Sequence, residues 1–149
     1  MRLLDGKKIN YVCRCYADTD AVAGLDVAAV LREEPSQVFK TLVTQGKTKN
    51  YYVFVVPVNK ELDLKKAAGA VGEKNIEMIK SKDLLPLTGY VHGGCSPIGM
   101  KKQFVTVFDN TAADYETVMF SAGKIGYQVE VKLEDIKPLL KFGFADITV

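Results

Sequence analysis

The sequence predicts one α+β domain built on a central mixed, curved and barrel-like β-sheet flanked by short helices. Two observations predict it. Seven or so short β-rich runs are interrupted by three or four segments with helical spacing. At 149 residues and 48% hydrophobic, the chain can bury one substantial core but is too short for two ordinary domains, so residues 1–149 read as one unit.

Residues 9–16 alternate as a strand, with Ile9, Tyr11, Cys13 and Cys15 on one face and Asn10, Val12, Arg14 and Tyr16 on the other. Over residues 21–33, Val22, Leu25, Ala28, Ala29 and Leu31 make a helical stripe that Pro35 ends. Residues 37–44 and 51–57 are β-rich runs either side of the polar linker 45–50, which predicts a hairpin. The second run is nearly all apolar and suits a central strand buried on both faces. Asp63 is placed to cap a helix over residues 64–71. Residues 76–79 predict a short strand, 81–85 a helical turn, and 86–99, dense in glycine and proline, a structured loop. Residues 104–108, 117–120 and 127–131 predict three more strands, and 133–141 a closing amphipathic helix containing Pro138.

Twenty basic and 18 acidic residues are mixed along the chain, and the formal charge of +2 builds no strong field for a polyanion. An RNA substrate would then be read at a terminus or shared with a partner protein. Three cysteines, two of them as close as Cys13 and Cys15, do not form a disulfide framework and point to a reducing cytosol. No apolar run approaches the ~20 residues of a membrane span, and residues 1–6 do not open a signal peptide. The expectation is a cytoplasmic protein with no membrane association.

The densest local signal is residues 89–99, in which paired Gly93 and Gly94 let backbone N–H groups approach an oxyanion or phosphate. The bland alternative is a sharp turn. A P-loop is excluded, because Met100-Lys101 follows Gly99 where Lys-[Ser/Thr] is required. His92 and Cys95 raise a cysteine nucleophile with a histidine base, or a zinc site completed by Cys13 and Cys15. Cys-x-Cys is not the usual zinc spacing, and core packing is the expectation for Cys13 and Cys15. With one histidine, no Ser-His-Asp triad can be assembled. Lys40 interrupts an apolar, β-branched run, and periodicity alone makes it an outward-facing strand residue.

Four segments in order change that reading: Val38-Phe39-Lys40-Thr41-Leu42, Leu62-Asp63-Leu64-Lys65-Lys66, Gly89-Tyr90-x-x-Gly93-Gly94-x-Ser96-Pro97-x-Gly99-x-Lys101-Lys102, and Ser121-Ala122-Gly123-Lys124-x-Gly126. Together they resemble the YbaK-type Cys-tRNA(Pro) deacylases of the prolyl-tRNA synthetase-associated editing-domain family, over nearly the whole chain. The resemblance implies a free-standing hydrolase that removes a wrongly attached amino acid from the 3′ end of a mischarged tRNA, with no metal or other cofactor. It implies that Lys40 is the essential lysine, that Gly93 and Gly94 lie against the scissile ester, and that Ser96 and Pro97 complete that loop. It places Tyr16, Thr41 and Ser121 in the pocket, and suggests prolyl-tRNA synthetase as a partner. Two positions depart from the family pattern: Gln128 stands where well-known members carry aspartate, and Ala23 replaces a pocket phenylalanine. A lost carboxylate weakens capture of the substrate's α-ammonium and a smaller wall enlarges the pocket. Cysteine is the first expected amino acid, with alanine or serine behind it. A non-catalytic module binding an aminoacyl-nucleotide or small molecule, and a zinc-stabilised protein, are the competing readings.

Overall fold

The computed structural model describes residues 11–15, 34–91, 94–137 and 139–149. The helix expected over 21–33, together with Tyr16, Ala23, His92, Gly93 and Pro138, lies outside the described residues. Among the described residues, eight strands fall into two sheets. β1 (Tyr11–Cys15), β7 (Tyr127–Val131) and β6 (Val118–Ser121) form an antiparallel sheet in that order. β4 (Ile76–Met78), β2 (Phe39–Gly46), β3 (Tyr51–Pro57), β5 (Val105–Asp109) and β8 (Phe142–Ala145) form the other. The larger sheet is mixed: β2 runs antiparallel to β3 and β4, whereas β3, β5 and β8 are parallel.

The hairpin and the buried strand follow the sequence. Val53 to Val56 of β3 are wholly buried between β2 and β5, as an apolar run without alternation requires. Helix α1 (Leu64–Val71) begins where Asp63 Oδ1 accepts from the N–H groups of Lys65 and Lys66, at 3.0 and 3.1 Å. It ends at Gly72, whose φ of 74° closes the last turn.

Three expectations at element level are corrected. Pro86 does not stop helix α2, which runs from Ser81 to Thr88. The Thr88 hydroxyl donates to the Leu84 carbonyl at 2.8 Å, and Gly89 N–H closes on Leu85 O. The closing helix is a single turn, α3 (Leu133–Ile136), and the chain then enters β8 beside β5. Finally, the curved sheet does not close into one barrel. A single parallel bridge, Val38 to Met119, joins the two open sheets among the described residues.

The main core lies between the sheets, where Phe39, Val43, Val53 and Val55 meet Val118, Phe120, Val129 and Val131. On the other face of the larger sheet, Tyr52, Phe54 and Val56 pack under Ala67 and Ala68 of α1. Full burial of Phe54, Phe108 and Phe120 contributes about 2–3 kcal/mol each. No helix among the described residues is long and apolar enough to cross a membrane.

Candidate functional site

Lys40 sits on β2 opposite Val56, two residues after the bridge at Val38. Strand alternation puts it on the face of Val38 and Leu42, whereas Thr41 shares the inter-sheet face of Phe39 and Val43. Neighbouring in sequence, the two therefore look onto different faces of the strand. β4 pairs only with Thr44 to Gly46, so at Lys40 β2 has β3 on one side and the bridge to β6 on the other. The Lys40 side chain is 29% exposed, and Nζ lies 3.6 Å from Glu61 Oε1, on a carboxylate that is 83% exposed. Such a solvated pair is worth under about 1 kcal/mol, so an anionic ligand can displace Glu61. Thr41 Oγ1 is buried and has no hydrogen-bond partner among the described residues.

Ser121 ends β6 two residues after Met119, in parallel with Lys40 two residues after Val38. Its hydroxyl accepts from Gly123 N–H at 3.2 Å and opens the second glycine turn. Gln128 of β7 is the register partner of Ser121 and is 3% exposed. Lys40, Ser121 and Gln128 thus belong to the end of the two sheets where they are bridged.

Gly94 brings the first glycine loop to the same end. A Cβ on Gly94 would stand 3.1 Å from Ile125 N, so the absent side chain is what lets this loop lie against the 121–126 turn. The Gly94 N–H is committed to Val91 O at 3.0 Å. Gly94 to Ile98 are buried. Ser96 is fully buried and its Oγ accepts from Ile98 N–H at 3.4 Å, so this hydroxyl braces the loop's own backbone. Pro97 borders a cavity of about 170 Å³ with Met100, Lys102 and Phe104. A second cavity, about 410 Å³ between Tyr115, Lys132, Phe142 and Phe144, is lined by none of the expected site residues.

The cysteines divide differently from expectation. Cys13 and Cys15 are exposed rather than packed, on the β1 strand of the smaller sheet. Cys95 is the buried one, and burial pushes its thiol up to about 12, which keeps it protonated and a poor nucleophile at neutral pH. Among the described residues, no three His, Cys, Asp or Glu side chains are grouped to hold a metal. Glu61, beside the Lys40 ammonium, and Tyr90, whose hydroxyl donates to Ile98 O, are candidate residues to which the sequence pattern assigned no role. The place of Tyr90 directly after Gly89, in the glycine-rich motif, was the available signal.

A family model described as an aminoacyl-tRNA editing domain matches residues 19–139. EbsC of Enterococcus faecalis (strain ATCC 700802 / V583), assigned as a Cys-tRNA(Pro)/Cys-tRNA(Cys) deacylase, is 46% identical over 149 residues, covering 99% of this chain and 91% of that protein. Two solved structures share the fold. One, the hypothetical protein APE2540, superposes with a TM-score of 0.86 at 18% identity, covering 99% of this chain and 97% of that one. The other, assigned as a trans-editing enzyme for prolyl-tRNA synthetase, has a TM-score of 0.83 at 23% identity, covering 98% and 92%. With the family model spanning most of its length and a near-full-length relative at that identity, this chain belongs to the aminoacyl-tRNA editing domain family, a family of deacylases.

Proposed function

We propose that the protein acts in trans to deacylate mischarged tRNA, with Cys-tRNA(Pro) as its substrate and prolyl-tRNA synthetase as the protein that delivers the tRNA. The observation that carries this reading is the position of Lys40, a weakly paired cation beside the bridge that joins both sheets, at the end where the two glycine turns pack together. The ammonium leaves Glu61 to anchor a phosphate or carbonyl oxygen of the terminal nucleotide. In this reading the glycine loop takes the ester, and a backbone amide of that loop stabilises the charge that develops on the carbonyl oxygen. The Gly94 N–H is held by Val91, so Gly94 contributes its missing side chain, which lets the loop lie against the 121–126 turn. Thr41, Pro97, Ser121 and Gln128 line or support the pocket, while Ser96 keeps the loop in shape.

An aminoacyl ester is already activated, so holding it in place supplies much of the rate. For a cysteinyl ester the substrate's own sulfur attacks the ester carbon. The carbon–oxygen bond to ribose breaks, the thiol proton passes to the ribose oxygen, and water later opens the cyclic thioester. No side-chain nucleophile is required, which fits a chain with one histidine and a protonated, buried Cys95. Gln128 offers a neutral amide to the α-ammonium, which weakens capture of every aminoacyl ester and leaves the choice among cysteine, alanine and serine to the shape of the pocket.

The test is ester loss from tRNA(Pro) charged with cysteine, alanine or serine. Lys40→Ala is expected to lower kcat/KM about 100-fold, the scale of one lost charge-stabilising contact. A Lys40→Ala variant as fast as wild type removes Lys40 from the chemistry. If the wild type itself only binds the charged tRNA, the chain is a binding module.

A further inference from the structure

We infer that Tyr90 is a positioning residue, whose side chain fixes the spacing between the loop 94–99 and the turn 121–126 and so acts on catalysis through the backbone at Gly94. This rests on the deacylase reading of the same site.

Tyr90 is anchored at its own backbone. Gly89, at φ 87°, ends α2, and Tyr90 N–H donates at 3.1 Å to Thr88 Oγ1, which is itself bonded to Leu84 O within the helix. From that fixed base the side chain reaches both glycine turns. Its hydroxyl donates to the Ile98 carbonyl at 2.6 Å. The ring edge fills the place of a side chain on Gly123, where a Cβ would stand 2.8 Å from Cε1. Gly123 has a φ of +98°, so both its backbone and its surroundings exclude a side chain.

The same two segments touch again at Gly94, against Lys124 and Ile125. A single ring therefore holds both sides of the contact on which the first glycine loop rests. Within residues 94–99 the other side-chain hydrogen bond, Ile98 N–H to Ser96, is internal and ties the loop to nothing outside it. Burial raises the Tyr90 phenol above its ordinary value, with Cys95 adding to the effect, so the O–H stays available to donate.

Tyr90→Phe keeps the ring and removes the hydrogen bond. Looser placement costs the transition state more than the bound substrate. The expected result is a kcat about tenfold lower, a KM within about twofold, and a urea midpoint close to wild type. A Tyr90→Phe enzyme with wild-type kcat, or a loss of rate that follows a fall in urea midpoint, overturns the inference. In a cycle with Tyr90→Ala, the collision caused by Gly123→Ala is relieved, so Gly123→Ala costs less kcat in that background. Costs that simply multiply overturn it as well. Should the wild type deacylate nothing, the deacylase reading fails and amide exchange decides the positioning role. Faster exchange across residues 94–98 in Tyr90→Phe supports it, and unchanged exchange overturns it.

Discussion

A cysteine's surroundings govern its reactivity more than its position in a sequence pattern. Alternation assigned Cys13 and Cys15 to an apolar face, yet β1 is an edge strand and both are exposed, whereas Cys95 is 8% exposed in the core. Thiol titration with an aromatic disulfide at neutral pH is expected to modify two cysteines in the native protein and the third only on unfolding. Three thiols reacting at one rate would contradict the burial of Cys95. The Cys95 thiol is raised from 9.0 to about 12, so its contribution to stability is complete below pH 9 and is lost as pH rises through the folded value. Lys40 illustrates the limit of local pattern in another way. Periodicity describes which face of a strand a residue takes, but the bridge from Val38 to Met119 joins residues 81 positions apart. Only the ordered family motifs made Lys40 a candidate; the same motifs named Ser121, and Gln128 drew notice as a departure from the family pattern. Tyr90 escaped because its partners, Ile98 and Gly123, become neighbours only when the two glycine turns meet.

Elements were legible where local chemistry decides them. Asp63 and Gly72 delimit α1 by capping, the 45–50 linker makes the β2–β3 hairpin, and alternation sets β7. They were not legible where tertiary pairing decides. β8 exists because β5 offers a parallel edge and Phe142 packs with its ring 5.0 Å from that of Phe108, so residues 142–145, to which the pattern assigned no element, fold as a strand. The hairpin is also locked to α1 by an arrangement that no spacing suggests. Glu73 is buried just past the helix and accepts from the Thr48 hydroxyl, from Thr48 N–H at 3.3 Å and from the Tyr52 hydroxyl at 2.5 Å. A Cβ on Gly46 would collide with the Glu73 carboxylate, so a side chain there would have to displace Glu73 from this arrangement. The bonds from Thr48 and then Tyr52 hold the Glu73 carboxyl below its ordinary 4.5, while that carboxylate and burial raise Tyr52 above 10.0. A depressed carboxyl stabilises the fold above its unfolded value, and the benefit fades as pH falls through the folded one. Glu73→Gln is therefore expected to lower the urea midpoint at pH 7 and to flatten the loss of stability below pH 4.5. An acid limb as steep as wild type would contradict the assignment.

At the scale of the whole molecule, the described residues form two open sheets that meet at one bridge, and the two motif-bearing glycine turns pack together where that bridge joins them. With a net charge of only +2, the chain builds no strong overall field to hold a tRNA by its backbone. That balance suits an enzyme that takes only the aminoacylated terminus and leaves the rest of the RNA to a synthetase. It also predicts a shallow salt dependence, since few phosphates would be neutralised. The most direct measurement is the release of radiolabelled cysteine from Cys-tRNA(Pro) by the purified wild-type protein, set beside proline release from Pro-tRNA(Pro). The expected result is cysteine release well above the buffer rate with Pro-tRNA(Pro) left intact, whereas cysteine release no faster than in buffer would contradict it.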